Sequence, residues 1–410
     1  MSSNRWPLSA ALASVLSGAL FTVAAAQTAP PLEILLREAA APRIVEGEAE
    51  ARSAEGRALQ ARARPNPTLD LQVENVGGDG PYRDFQSAET TLSVGQTLEL
   101  GGKRGARIAV AEADLQAARS RSTQSRIGFA RDLTIAYATA EAAAERIAVA
   151  RDGVDLAQAD ARAARLLVDN GKEAELRALQ AQAALSAAQA EASRADAELG
   201  TALARLSALV GGEQAFTAVT PGLLDRSWRN QASARSPGIA IAEAEQQAAT
   251  RKLDLERRRT TPDLTVNLGI RRLNDGDSTA AVAGFSLPLP LFDRNRGAVK
   301  SAQAEADAAR ARLAIAQSDA LASRRSAEGE ALAAERSLAA AREGEAAARE
   351  AYRLARLGYE AGKLPLLELI SARRDLIAAR HRNTDARLAR VRAMADLAQA
   401  NGQIAFGDPS

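Results

Sequence analysis

The sequence predicts a mainly α-helical protein that carries four short β-strands and is built as a tandem duplication. Three observations predict it. No proline lies between Leu98 and Pro221, nor between Pro290 and Pro365, and the first of these runs carries a seven-residue apolar repeat. Before each run, two segments of about ten residues alternate apolar and polar side chains, the strand period. Finally, landmarks recur at nearly one spacing: Pro67 and Pro262 are 195 positions apart, Gly105 and Gly297 are 192 apart, and Gly171 and Gly362 are 191 apart.

Composition narrows the class. Hydrophobic residues make up 46% of the 410 residues but aromatics only 3%, and alanine dominates the apolar count. Alanine suits helices packed closely side by side better than a large globular core. Fifty-three basic against 51 acidic residues leave a net charge of +2, so no bulk field attracts nucleic acid. The absence of cysteine excludes disulfides, thiolate metal sites and cysteine catalysis. With one histidine, His381, and no methionine besides Met1 and Met394, no soft-metal site is expected. No cofactor motif and no nucleophile–base pair stand out, so no catalytic residue and no enzyme activity are expected.

Residues 1–26 read as a signal peptide, with Arg5, an apolar stretch from Leu8 to Val23, and a small-residue exit at Ala24-Ala25-Ala26. Residues 27–210 form the first repeat. A helix from about Pro42 to Arg64 leads to strands at about 67–76 and 90–100, then to a helical hairpin over 103–210. In strand one, Leu69, Leu71 and Val73 alternate with Asp70, Gln72 and Glu74. The outgoing helix, Lys103 to Asp169, would be about 100 Å long at 1.5 Å per residue. Leu133, Ala140, Ile147 and Val154 occupy its a positions, and Ala136, Ala143, Ala150 and Ala157 its d positions. Asn170-Gly171-Lys172 turns the chain back. A connector, 211–235, is expected to fold against the helices through Phe216, Leu223, Leu224 and Trp228. The second repeat, 236–402, has a helix from about Pro237 to Arg259, strands at about 262–273 and 279–289, and a hairpin over 296–402 that turns at Gly362-Lys363. Residues 403–410 form a tail.

The strands bear most on function. Each is about as long as a strand that crosses a bilayer, with one apolar and one polar side. Four strands cannot close a membrane barrel alone, and open edges in hydrocarbon would leave backbone groups unpaired. Two copies would pool eight strands, a filled barrel, and three would pool twelve, wide enough for a passage. Alternation equally suits two soluble hairpins packed on the helices. Arg62 and Arg64 precede strand one and Arg257-Arg258-Arg259 precede strand three, either as a solvated face or against anionic head groups.

"TTLSVGQTLELGGKRGARIAVAEADLQAA", "PLPLFDRNRG" and "LARLGYEAGKLPLLELISARRDL" resemble the TolC-type outer-membrane efflux proteins, the first of them the branch serving heavy-metal cation exporters of the cobalt–zinc–cadmium type. The resemblance spans nearly all of the mature chain. It implies a homotrimer in the outer membrane of a Gram-negative bacterium, with a 12-stranded barrel in lipid and an α-helical tunnel through the periplasm. It also implies a periplasmic adaptor and an inner-membrane pump of the RND type as partners. Gly101, Gly102, Pro288 and Pro290 would then be seams between strand and tunnel wall. Gly171, Lys172, Tyr359, Gly362 and Lys363 would be helical tips where the adaptor docks. Glu368 matches the first of two acidic residues of a selectivity ring, and Ser371 replaces the second. The implied cargo is heavy-metal cations, or else small organic toxicants. A periplasmic adaptor and a structural coiled-coil protein are the rivals.

Overall fold

The computed structural model describes residues 27–38, 41–211, 215–228 and 236–407. The expected signal peptide therefore lies outside the described residues, as do parts of the connector and the last three residues of the tail. Two long hairpins dominate. Helix α3 (Lys103–Asp169) returns as α4 (Glu175–Val210), and α6 (Arg296–Glu360) returns as α7 (Leu366–Ala400). Two shorter helices, α2 (Pro42–Ala61) and α5 (Pro237–Arg258), lie beside the halves nearest the strands. The helices form a wall one layer thick. Its order is α2-α3-α5-α6 toward the strands and α4-α3-α7-α6 toward the tips.

Alanine explains the wall. Ala140, Ala143, Ala157 and Ala164 of α3 are all but fully buried, as are Ala181 of α4 and Ala379 and Ala398 of α7. With a single methyl at the seam, axes approach closely, and little side-chain entropy is lost. Among the described residues no helix is long and apolar enough to cross a membrane.

The strands β2 (Thr68–Glu74), β3 (Glu89–Leu98), β5 (Leu264–Leu273) and β6 (Ser278–Ser286) form one antiparallel sheet in the order β2-β3-β5-β6. The β3–β5 pairing stitches the two repeats together, with Leu92 opposite Ile270 and Val94 opposite Leu268. Both outer edges, β2 and β6, are unpaired.

A belt halfway along the helices ties the wall together, and sequence patterning showed only part of it. Two short strands, β1 (Gln27–Ala29) and β4 (Phe216–Val219), pair in parallel, and α1 (Leu32–Glu38) follows the first. Phe216, Leu223, Leu224 and Phe406 bury themselves against Leu133 and Tyr137 of α3 and Val391 of α7. The connector turn is clasped by polar side chains. The Glu141 carboxylate accepts the amides of Gly222 at 2.6 Å, Leu223 at 3.0 Å and Leu224 at 3.3 Å. Tyr137 donates to the Thr220 carbonyl at 2.9 Å, and Arg390 to the Leu224 carbonyl at 2.7 Å. Burial pushes the Glu141 carboxyl above its ordinary range, while the three amides pull it back down.

Replacing Glu141 by alanine strands those three amides. A buried donor left unpaired costs about 1–3 kcal/mol. Glu141→Ala is expected to lower the thermal transition of the purified protein by circular dichroism, with Glu141→Gln in between. An unchanged transition in Glu141→Ala would show that the connector is held by apolar contacts alone.

Candidate functional site

The sheet has two chemically distinct faces. One carries continuous apolar rows: Leu69, Val94, Leu268 and Ala283 stand opposite one another, as do Leu71, Leu92, Ile270 and Ala281. These rows cover nothing in the chain, with Leu69 71% and Leu268 62% exposed. A soluble sheet lying on the helices would bury them, so that arrangement is ruled out for this subunit. On the other face Arg271 bridges Glu89 at 2.7 Å and Glu74 at 3.4 Å, and donates to the Thr91 hydroxyl at 2.9 Å. Apolar outside and polar inside is the pattern of a strand between lipid and an aqueous lumen.

The seams differ from each other. At the first, Gly101 and Gly102 take φ of 67° and 70°, and Gly102 caps α3. A Cβ on Gly102 would meet only the mobile end of the Arg258 side chain, so it is the positive φ that favours glycine here. Arg258 itself donates to the Gly101 carbonyl at 3.1 Å, and Arg62 pairs with Glu112 at 2.9 Å. Both arginines are thus engaged within the protein at the seam. At the second seam, pairing stops at Ser286, before Pro288 and Pro290. The left-handed residue there is Asn295, with φ of 55°, which caps α6. Its side chain donates to the Glu256 carbonyl and carboxylate at 2.9 and 3.0 Å. Sequence reading passed over Asn295; its signal was "DRN", an Asx-type turn before a helix.

Both tips close with the same hydrogen-bond pattern. Gly171 and Gly362 have φ of 72° and 70°. Gly171 N–H reaches the Val168 carbonyl at 2.8 Å and Lys172 N–H the Leu167 carbonyl at 2.8 Å; Gly362 and Lys363 repeat this on Tyr359 and Gly358 at 2.9 and 2.8 Å. Lys172 and Lys363 sit on these turns. Tyr359, expected on the docking surface, is instead 8% exposed, packed among Ala164, Leu366, Leu369 and Ile370. Burial raises its phenol pKa. Its large ring fills the space between α3 and α7, so it supports the tip from within. What each tip does present is a pair of leucines, Leu166 with Leu176 and Leu357 with Leu367. The pairs are related by the same 191-residue shift as the glycines. The repeat spacing made them findable, but sequence reading followed only the turn residues.

Glu368 is exposed in the first turn of α7, and Ser371 is exposed one turn later. Asp375, seven residues on from Glu368, is also exposed and returns to the same helical face. An acidic stripe thus skips Ser371. Beside it lies a buried ion pair: Arg373 of α7 meets Asp160 of α3 at 2.5 Å, with side chains 6% and 8% exposed. Burial pushes the Asp160 carboxyl up, against the downward pull of Arg373. Among the described residues no group of three or more His, Cys, Asp or Glu is placed to hold a metal ion.

The sequence profile of the family described as "outer membrane efflux protein" matches residues 36–212 and 228–403, one block for each repeat. The chain belongs to that family. It is an outer-membrane efflux channel, with the sheet at the membrane and the helices as its periplasmic tunnel part. This efflux channel is 43% identical over 387 residues to a nickel-cobalt-cadmium resistance protein of Alcaligenes xylosoxydans xylosoxydans, covering 93% of this chain and 88% of that one. It is 45% identical over 388 residues to a nickel and cobalt resistance protein of Cupriavidus metallidurans, covering 93% and 92%. The heavy-metal branch of the resemblance is therefore shown. In fold it matches the outer membrane protein VceC from Vibrio cholerae, with a TM-score of 0.75 at 20% identity over 91% of this chain and 96% of that one.

The buried pair yields a test. Arg373→Met alone leaves an unpaired carboxylate, a loss of about 3–5 kcal/mol. Asp160→Leu combined with Arg373→Met is expected to regain most of it in denaturant unfolding of the solubilised efflux channel. A double variant as weak as the single would mean that the pair is not the source of the loss.

Proposed function

We propose that three copies of this efflux channel form the outer-membrane exit of a tripartite export system for heavy-metal cations. The observation that carries the trimer is a four-stranded sheet with exposed apolar rows and two open edges. In hydrocarbon each unpaired backbone group costs several kcal/mol, so the edges must be paired by other copies. Three sheets of four make a 12-stranded barrel whose lumen, unlike that of eight strands, is not filled by its own side chains.

The channel conducts passively and carries out no covalent chemistry. Energy comes from an inner-membrane pump of the RND type, and a periplasmic adaptor bridges pump and channel. The adaptor docks on the tips, where Gly171, Lys172, Gly362 and Lys363 shape the turns and the leucine pairs supply apolar contact. Tyr359 acts there indirectly, by holding the tip rigid. Glu368 and Asp375, repeated in three copies, would line the narrow end with negative charge and favour cations. Nickel, cobalt and cadmium are the cargo that the two relatives' names support.

Deleting the gene in its host, with pump and adaptor intact, is expected to lower tolerance to nickel, cobalt and cadmium, and the wild-type gene on a plasmid to restore it. Leu357→Asp with Leu367→Asp is expected to fail to restore tolerance although the trimer is present in the outer membrane at normal amount. Unchanged metal tolerance in the deletion strain would overturn the cation reading. Full restoration by the leucine variant would overturn the docking surface.

A further inference from the structure

The duplication leaves one interface of each chain unused. Within the chain, α7 of the second repeat lies against α3 of the first. The repeat shift of 191 residues, read from Gly171 and Gly362, places α4 where α7 stands and α6 where α3 stands. Yet α4 and α6 are the two outer edges of the tip-half wall, and among the described residues neither has a helix packed on its far side. We propose that α6 of one copy receives α4 of the next in the register of the internal α3–α7 contact, and that a charge-swapped ion pair, Arg336 with Asp196 of the second copy, enforces it. This rests on the trimeric reading above and adds its residue-level register.

The argument is chemical. Internally, Glu145 of α3 pairs with Arg387 of α7. Shifted by 191, Glu145 becomes Arg336 and Arg387 becomes Asp196, so the pair is kept with its signs exchanged. Arg336 is exposed and makes no ion pair among the described residues. Asp196 has only Arg151 at 3.6 Å, with both side chains about two-thirds exposed at 69% and 66%. Packing agrees. Internally, Gly153 receives Ile377, whose Cδ1 would be 3.5 Å from an added Cβ. The equivalents, Gly344 and Ser186, are both small and both exposed, and Gly344 faces open space.

The exchange also rejects the wrong assembly. If α4 of a second copy displaced α7 from α3, Asp196 would meet Glu145. If α7 of a second copy took the place of α4 on α6, Arg387 would meet Arg336. Both are like-charge contacts, a repulsive element against the wrong partner beside the attraction to the right one. The result is a heterologous, head-to-tail contact that closes into a ring.

Arg336→Asp and Asp196→Arg, singly, are each expected to lose the heat-resistant trimer band of outer-membrane samples, and the double variant to regain it. The chain has no cysteine of its own. Ser186→Cys with Gly344→Cys is therefore expected to give dimer and trimer bands with a short bifunctional maleimide. Gly153→Cys with Ile377→Cys is expected to cross-link only within one chain. A double charge variant no better than the singles, or no intermolecular product while the trimer persists, would overturn the register and leave the channel standing. Monomer in every sample, wild type included, would overturn both.

Discussion

Everything in this molecule depends on a sheet that does not close itself. Strands with one apolar face, seven residues long in β2, nine in β6 and ten in β3 and β5, can lie between lipid and water, but β2 and β6 each keep a row of unpaired amides and carbonyls. In water such an edge is a hazard for aggregation; in hydrocarbon it is forbidden outright. At each seam the chain passes from strand to long helix, from Leu98 to Lys103 and from Ser286 to Arg296, and the capping residue locks the start of the helix. Gly102 and Asn295 show that the lock demands a backbone conformation and not a residue type. Each is left-handed and caps its long helix, one with no side chain and the other with a side chain that bonds to Glu256.

The wall is the second consequence. A one-layer wall has no thick core to bury large side chains, so close approach of helices must supply the contact. Alanine at the a and d positions makes that possible, which is why an apolar content of 46% coexists with 3% aromatics. Where the wall needs more than methyl contacts, it thickens. The belt of β1, β4, α1 and the connector gathers Phe129, Tyr137, Phe216 and Phe406 at one level. Polar side chains there hold the connector backbone, Glu141 by its amides and Tyr137 and Arg390 by its carbonyls. Glu141 is the clearest case, since a buried carboxylate is tolerated because three amides surround it.

Much of this was legible in the sequence, for identifiable reasons. Long helices declare themselves by a period sustained over many heptads, and Lys103 and Asp169 could be read off a strand end and a Gly-Lys turn. The strands declared themselves by alternation, and their apolar positions align across the sheet because the register preserves parity. What stayed hidden lacks a period. β1 and β4 are three and four residues long, too short to alternate visibly. Glu141 looks like any other acidic residue of a charged helix until the connector folds onto it. Tyr359 was misplaced for a related reason: next to a turn glycine, sequence cannot tell a ring pointing out from one pointing in. Asp375 was missed because attention stayed on the spacing that Ser371 interrupts.

Duplication explains why the two halves differ despite sharing one plan. In the ring proposed above, a repeat meets two kinds of neighbour, its twin in the same chain and its twin in another. The boundary within the chain holds buried polar groups: Arg373 of α7 meets Asp160 of α3, and the buried Thr384 of α7 donates to Glu145 of α3. Helix α4, at the edge, has no buried charged residue among its described positions. A surface that must exist in water before assembly cannot carry half of a buried ion pair without a heavy desolvation cost. It can carry small residues such as Ser186 and Gly344 and exposed charges such as Asp196 and Arg336, beside exposed leucines such as Leu179 of α4 and Leu332 of α6.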